Sequence, residues 1–576
     1  MTRILGILTL IFFLFSQNSF AAFPRPIKAD SGMVVAAEQI ASDVGLEILK
    51  KGGNAIDASV ATAFALAVTY PQAGNLGGGG FMLIRLADGT ENFIDYRETA
   101  PKKANKNMYL DKEGNVIENL SLFSHLAVGV PGTVAGMALA LEKYGTMTWQ
   151  EVLEPAINLA ENGFEVAGEL AYKLESKRPE MTFHEATRKI FYKDSLHFSV
   201  EDSTLQDSLF AYKEGEILVQ KDLAETLKRI QQLGWREFYE GETAEKIVRE
   251  MKNNKGLISA EDLKTYTPIE RKPVSGTYRG YKIISAPPPS SGGILLIQML
   301  NMLETFPLDY IGHGSSEQIH HFTEVQRRAY ADRSVYLGDP DFWQIPDSVL
   351  TSKTYAMERL RDLRRYKHTP SSRVKEGKIE SEETTHFSIV DKFGNAVSNT
   401  YTLNGNFGSC IVAEGTGILL NNEMDDFSAK SGSANMFGLL GNEANSIAPN
   451  KRMLSSMTPT IVTKNDSLFM VIGSPGGSTI ITTVLQIITN VIDFRMNIAS
   501  AICARRFHHQ WQPDAIFLEP GQISQDVIRN LENMAYKFIP RSKIGNAQGI
   551  LINYEKNRIE GFSDPRGFGK VSFLNE

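Results

Sequence analysis

The chain has 576 residues, 42% of them hydrophobic and 22% charged, with a net charge of −7. That balance is ordinary for a globular protein, and the length allows either several domains or one large fold. The acidic charge leaves no basic footprint, which argues against a nucleic-acid partner.

Arg3 precedes a twelve-residue apolar run, 4–15, followed by Ser16-Gln17-Asn18 and then Ser19-Phe20-Ala21. A cationic start, a short apolar core and a small-x-small end read as a secretory signal. A bilayer span needs about twenty apolar residues, so the run is short for an anchor, which is the competing reading. Cleavage after Ala21 and export to the periplasm or beyond are expected, with no membrane anchor afterwards. Cys410 and Cys503 are the two cysteines. A fold of this size needs no disulfide, so both read as small buried apolar groups, with a bridge between them left open.

Residues 34–51 read as a helix, with Ile40, Val44 and Ile48 four apart and Gly52-Gly53 ending it. A second helix starts at Asn54 or Asp57. It is apolar nearly all round through Ala58, Ala61, Ala63 and Ala65, as a buried helix is. Asn75-Leu76-Gly77-Gly78-Gly79-Gly80 leads into a hairpin of strands 81–86 and 93–96 about Asp88-Gly89. The glycines lack the Lys-Ser/Thr of a phosphate loop and suit close backbone approach to a substrate or another strand. Thr148-Trp149-Gln150-Glu151 is a capping box opening a helix to Asn162, where Pro155 predicts a bend or a late start. The Pro- and Ser-rich loop 286–293 precedes a helix at 294–303, and 316–336 reads as another. No internal repeat is found.

Segment 361–383 is rich in Arg, Lys and Glu, with a Thr369-Pro370-Ser371-Ser372 break. Such a composition cannot bury much surface. It reads either as an exposed linker or as the mobile tail of an N-terminal fragment. At Thr384 the pattern becomes alternating: Phe387 and Ile389 against His386 and Ser388, a turn at 391–394, then a strand to 402. Strands at 458–463 and 468–472 follow. Ser474-Pro475-Gly476-Gly477-Ser478 then opens a helix to about 491.

The junction at 383–384 carries a chemical reading. A threonine hydroxyl is a poor nucleophile without a base. An α-amino group on the same residue, with a pKa of roughly 7.7–8.0, can act as that base near ambient pH. Such a residue must begin a chain, so the reading is that the protein cuts its own peptide bond between Glu383 and Thr384.

The run 383–428, with Lys451-Arg452-Met453-Leu454-Ser455-Ser456-Met457-Thr458-Pro459-Thr460 and Gly473-Ser474-Pro475-Gly476-Gly477-Ser478, resembles the γ-glutamyltranspeptidase (glutathione hydrolase) family. Gly53-Asn54-Ala55-Ile56-Asp57-Ala58 and Arg505-Arg506-Phe507-His508-His509-Gln510-Trp511 carry the same resemblance, which extends from about Gly32 to Arg566. The resemblance implies an α+β fold, the four-layer αββα sandwich of N-terminal-nucleophile hydrolases, with a helix-rich large-subunit portion. It implies a signal peptide at 1–21, a large subunit at 22–383 with 361–383 mobile, and a small subunit at 384–576, the two subunits remaining together as a heterodimer.

By the same resemblance, Thr384 is the nucleophile, supported by Thr402, and Gly476 and Gly477 form an oxyanion hole. Backbone N–H groups at a helix N-terminus suit that task. Arg97, Ser455 and Ser456 match ligands of a substrate α-carboxylate, for which a guanidinium fork is well shaped. Asn404, Glu423 and Asp426 match ligands of the α-ammonium, and Phe437 stands in a lid where some relatives carry tyrosine. His386 is read as scaffold or as support for self-processing. The implied reaction is acyl transfer from glutathione or another γ-glutamyl compound to water, an amino acid or a dipeptide, with no metal or organic cofactor. Two alternatives stand beside it: a cephalosporin (glutaryl) acylase on the same scaffold, and an inactive, unprocessed homologue that only binds.

Overall fold

The computed structural model describes residues 24–199, 204–374, 384–430, 436, 442–521 and 523–575. Two seven-stranded sheets form its centre. The first runs, in spatial order, Ile27–Ala29, Arg558–Ser563, Gln548–Asn553, Ser467–Gly473, Thr460–Lys464, Tyr281–Ser285 and Val274–Tyr278. The second runs Lys570–Leu574, Gly32–Ala36, Thr385–Val390, Ala396–Thr402, Gly79–Arg85, Glu91–Asp95 and Ile269–Arg271. Neighbouring strands in both are antiparallel.

Side-chain alternation builds the layers. Met33 and Val35 join Phe81, Leu83, Phe93, Ile461, Val471 and Ile550 between the sheets. Val34 and Ala36, on the opposite face, join the core beneath helices Gln39–Lys50, Ala55–Thr69, Thr133–Tyr144 and Trp149–Asn162. Helices Gly292–Leu303, Ser316–Tyr336 and Thr479–Ile492 cover the outer face of the first sheet through Ile283, Val462, Met470 and Ile472. Helix, sheet, sheet, helix is the expected four-layer order.

Three expectations change in detail. The helix expected over 34–51 begins at Gln39, and its first residues are a strand instead. Residues 33–36 are apolar on both faces because both faces are buried, so the sequence shows no alternation there. Glu38 marks the switch by accepting from the Ile40 and Ala41 amides, each at 2.9 Å. Asn54 caps the next helix and Asp57 answers from its first turn, so both candidates take part in one start signal. Pro155 lies inside an unbroken Trp149–Asn162, and the late start does not occur. The three C-terminal strands and the hairpin Tyr192–Ser199 with Thr204–Ala211 were not legible.

The four-glycine loop serves another strand. A β-carbon on Gly78 would lie 2.1 Å from the Thr402 carbonyl oxygen, and one on Gly80 would lie 2.4 Å from Tyr401 Cβ. Of segment 361–383, the part to Val374 is anchored. Arg328 binds Asp362 at 2.7 Å and Ser371 N donates to Asp514 at 2.7 Å. His368 N donates to Met534 O at 3.0 Å, and Trp511 Nε1 to Ser371 O at 3.0 Å. Both cysteines are free thiols; Cys410 is buried, whereas Cys503 is partly exposed. No helix among the described residues is long and apolar enough to cross a membrane.

Candidate active site

Thr384 immediately precedes Thr385–Val390, a central strand of the second sheet, and is buried. Thr385 pairs with Tyr401, so the antiparallel register carries Thr402, the last residue of its strand, opposite Thr384. A sheet interior fixes both hydroxyl-bearing residues more firmly than a loop would. Asn404 N donates to Thr402 Oγ1 at 2.8 Å, and Asn404 Nδ2 to Asn422 O at 3.0 Å. Asn404 has φ 76, a left-handed conformation that asparagine tolerates.

Thr384, Thr402, Asn404, Arg97, Glu423, Asp426, Ser455, Ser456 and Gly477 line one cavity, closed by Met457 and Ile480. Thr402 ends a strand of the second sheet, Glu423 and Asp426 stand in a short 3-10 turn, and the other lining residues come from loops beside the strands. The cavity measures about 20 Å3, room for about one water. Gly476 and Gly477 have φ 134 and 50, and helix Thr479–Ile492 begins two residues later. Their amides thus stand at the positive end of a helix dipole. Phe437 lies outside the described residues, as do residues 1–21 and Glu383.

Charge is concentrated on one wall. The buried Arg97 guanidinium donates through Nη1 to Glu423 and through Nη2 to Asp426, and its Nε reaches Met453 O at 3.3 Å. The two carboxylates expected to meet a substrate ammonium therefore already hold the arginine expected to meet its carboxylate. A third carboxylate, Glu98, lies 3.6 Å from Arg97 Nη1, and neither of its oxygens has a hydrogen-bond partner. Burial lifts Glu98 to about 7 against the pull of Arg97. Burial likewise holds Glu423 well above the usual carboxylate range. For Arg97 burial works against the charge, but Glu423, Asp426 and Glu98 outweigh it and the guanidinium stays charged.

The match to known proteins follows this geometry. The model of the Gamma-glutamyltranspeptidase family matches residues 41–574. The chain belongs to the γ-glutamyltranspeptidase family. It is 50% identical over 546 residues to the glutathione hydrolase proenzyme of Escherichia coli (strain K12), covering 94% of this chain and 91% of that one. A cephalosporin acylase from Bacillus halodurans superposes with TM-score 0.82 at 25% identity, over 97% of this chain and 99% of the other. A γ-glutamyltranspeptidase from Helicobacter pylori gives TM-score 0.55 at 48% identity, over 58% of this chain and 93% of its own.

Two further residues of this γ-glutamyltranspeptidase-family chain stand among the groups around the site. His386 is fully buried, its Nδ1 2.8 Å from Thr400 Oγ1 and its Nε2 3.1 Å from Ser388 Oγ. Burial pushes the ring down to about 3, which favours the neutral form. Arg333 escaped the sequence reading. Buried on helix Ser316–Tyr336, it donates from Nη2 to Ser456 Oγ at 3.2 Å and from Nε to Ser291 Oγ at 2.9 Å. The available signal was that this helix carries Arg327, Arg328 and Arg333 amid apolar Ile319, Phe322, Val325 and Ala329, so charged residues on a helix packed into a core need partners. The serine shelf itself is clamped: Ser455 N donates to Pro289 O at 2.9 Å, and Ser291 Oγ to Ser455 O at 2.7 Å.

Proposed function

We propose that the chain is a γ-glutamyl hydrolase and transferase acting on glutathione and related γ-glutamyl compounds, with Thr384 as nucleophile. The observation that carries this reading is the single cavity in which Thr384 faces a guanidinium, two carboxylates and two serines. A γ-glutamyl group ends in an α-ammonium and an α-carboxylate, and burying either unpaired is costly. Glu423, Asp426 and Asn404 take the ammonium. Arg97, Ser455 and Ser456 take the carboxylate. A glutaryl group has no ammonium to set against the two carboxylates, whose charge Arg97 alone then offsets, which disfavours the acylase reading.

In the cut protein the Thr384 α-amino group removes the proton from Oγ. The Oγ then bonds to the γ-carbonyl carbon, and the carbonyl electron pair moves onto oxygen beside the Gly476 and Gly477 amides. Losing one such donor typically costs about 3–4 kcal/mol of barrier. The C–N bond breaks, the Thr384 ammonium gives its proton to the leaving nitrogen, and a γ-glutamyl ester of Thr384 remains. Water, an amino acid or a dipeptide attacks the ester by the same steps in reverse roles.

The chain is made as a precursor that loses residues 1–21 on export, to the periplasm or beyond. It then cuts itself into subunits 22–383 and 384–576, which stay together. Arg328, Asp514, Trp511 and Met534 hold residues 362–374, and residues 375–383 lie outside the described residues.

Denaturing electrophoresis and hydrolysis of γ-glutamyl-p-nitroanilide test the reading. The expected result is two bands, the smaller starting at Thr384, with the γ-glutamyl anilide preferred over the glutaryl anilide. Thr384→Ala is expected to give one band and no hydrolysis. A wild-type protein that stays in one piece, or that prefers the glutaryl anilide, overturns it.

A further inference from the structure

Helix Ser316–Tyr336 carries three buried arginines in unequal company. Arg327 pairs with Glu324 at 3.4 Å and with Asp514. Arg328 pairs with Glu324 and with Asp362, each at 2.7 Å. Arg333, one helical stretch further on, has no carboxylate oxygen within 4.0 Å among the described residues. It is 4% exposed. Its two side-chain hydrogen bonds go to Ser291 and Ser456, and Ser291 holds the Ser455 carbonyl. Each of these contacts leads to the shelf that lines the Thr384 cavity.

A guanidinium kept in the interior without a counter-ion is costly. Burial pulls Arg333 down to about 10, with Asp426 opposing that pull and Arg97 adding to it. The charge around the cavity explains its retention. Glu98, Glu423 and Asp426 surround Arg97, whose Nη groups are both committed to carboxylates and whose Nε is on Met453. An arriving α-carboxylate would therefore meet an arginine already shared among anions. Arg333 is the neighbouring cation with no carboxylate oxygen within 4.0 Å among the described residues.

We propose that Arg333 is a positioning residue for the α-carboxylate of the γ-glutamyl group. It fixes the Ser456 hydroxyl and, through Ser291, the Ser455 backbone, and it supplies the positive charge that lets a carboxylate settle on the two serines. The inference deepens the γ-glutamyl reading and rests on it.

The test uses the processed wild-type enzyme with Arg333→Lys and Arg333→Met. Electrophoresis and thermal unfolding establish that each variant folds and cuts itself. Kinetics on γ-glutamyl-p-nitroanilide then separate KM from kcat. Inhibition by L-glutamate is compared with inhibition by 4-aminobutyrate, which is the same molecule without the α-carboxylate. For Arg333→Met the expected result is a KM and an L-glutamate inhibition constant about ten- to a hundredfold higher, in line with loss of a charge-assisted contact. A change in kcat below threefold and an unchanged constant for 4-aminobutyrate are expected alongside. Arg333→Lys keeps the charge and recovers part of the loss.

Equal losses for both inhibitors, or no loss in a folded and processed variant, overturn the proposal. So does failure of both variants to fold, which would leave Arg333 a purely structural residue. A wild-type enzyme that neither cleaves the γ-glutamyl anilide nor binds L-glutamate refutes the parent reading instead.

Discussion

Glu98 sits beside Arg97, 3.6 Å from its Nη1, with both carboxylate oxygens buried and without hydrogen-bond partners. Its carboxyl is held up to about 7 by burial, against an ordinary value of 4.5. Between those pH values the unfolded chain has released a proton that the folded chain keeps. Stability is therefore fully present below about pH 4.5 and is lost as pH rises through about 7. Glu98→Gln preserves the shape and removes the titration. Unfolding of both proteins at pH 5 and pH 8 should show the wild type losing on the order of 2–3 kcal/mol relative to the variant. A difference that does not move with pH would exclude the buried carboxyl as its source. At this scale the site was largely legible. Thr384, Thr402, Arg97, Asn404, Glu423, Asp426, Ser455 and Ser456 stand in short runs whose order carries the information, and they meet in one cavity. Arg333 was not legible, because its serine partners lie 42 and 123 positions away in the chain.

The strands flanking Thr384 depend on glycines for their spacing. A β-carbon on Gly78 meets the Thr402 carbonyl at 2.1 Å, whereas one on Gly89, in the turn of the next hairpin, meets nothing closer than 3.9 Å. Gly78→Ala should force Gly79–Arg85 away from Ala396–Thr402 and cost about 1–3 kcal/mol as overpacking does. It should also slow self-cutting, since Thr402 moves with its strand. Gly89→Ala has φ 91 to contend with but leaves the ladder alone, so it should cost about 1 kcal/mol and leave the cutting rate unchanged. Denaturant unfolding and a time course by electrophoresis read both. Strands exposed to different surroundings on their two faces announced themselves by alternation. Gly32–Ala36 did not, because helices cover one face and the other sheet covers the opposite one.

Neither sheet belongs to one side of residue 384. Gly32–Ala36 lies between Lys570–Leu574 and Thr385–Val390, and Gly79–Arg85 pairs with Ala396–Thr402. In the other sheet Ile27–Ala29 pairs with Arg558–Ser563, and Tyr281–Ser285 with Thr460–Lys464. A cut at 384 leaves these ladders intact, so the two pieces should elute as one particle in native size-exclusion chromatography and part only in denaturant. Separate elution in plain buffer would contradict the interleaving. Most of this architecture was legible as a resemblance. The C-terminal strands that complete both sheets were not, since their pairing partners lie hundreds of residues upstream.

That interleaving also orders events in time. While the chain is continuous, the two halves meet at the high effective concentration of a tethered pair. After the cut, neither half holds a whole sheet, and re-forming one requires two molecules to find each other. Cutting is therefore a one-way step that must follow folding. The processed protein, once denatured, should refold with a yield that falls on dilution, whereas the uncut Thr384→Ala chain should refold with a yield independent of its concentration.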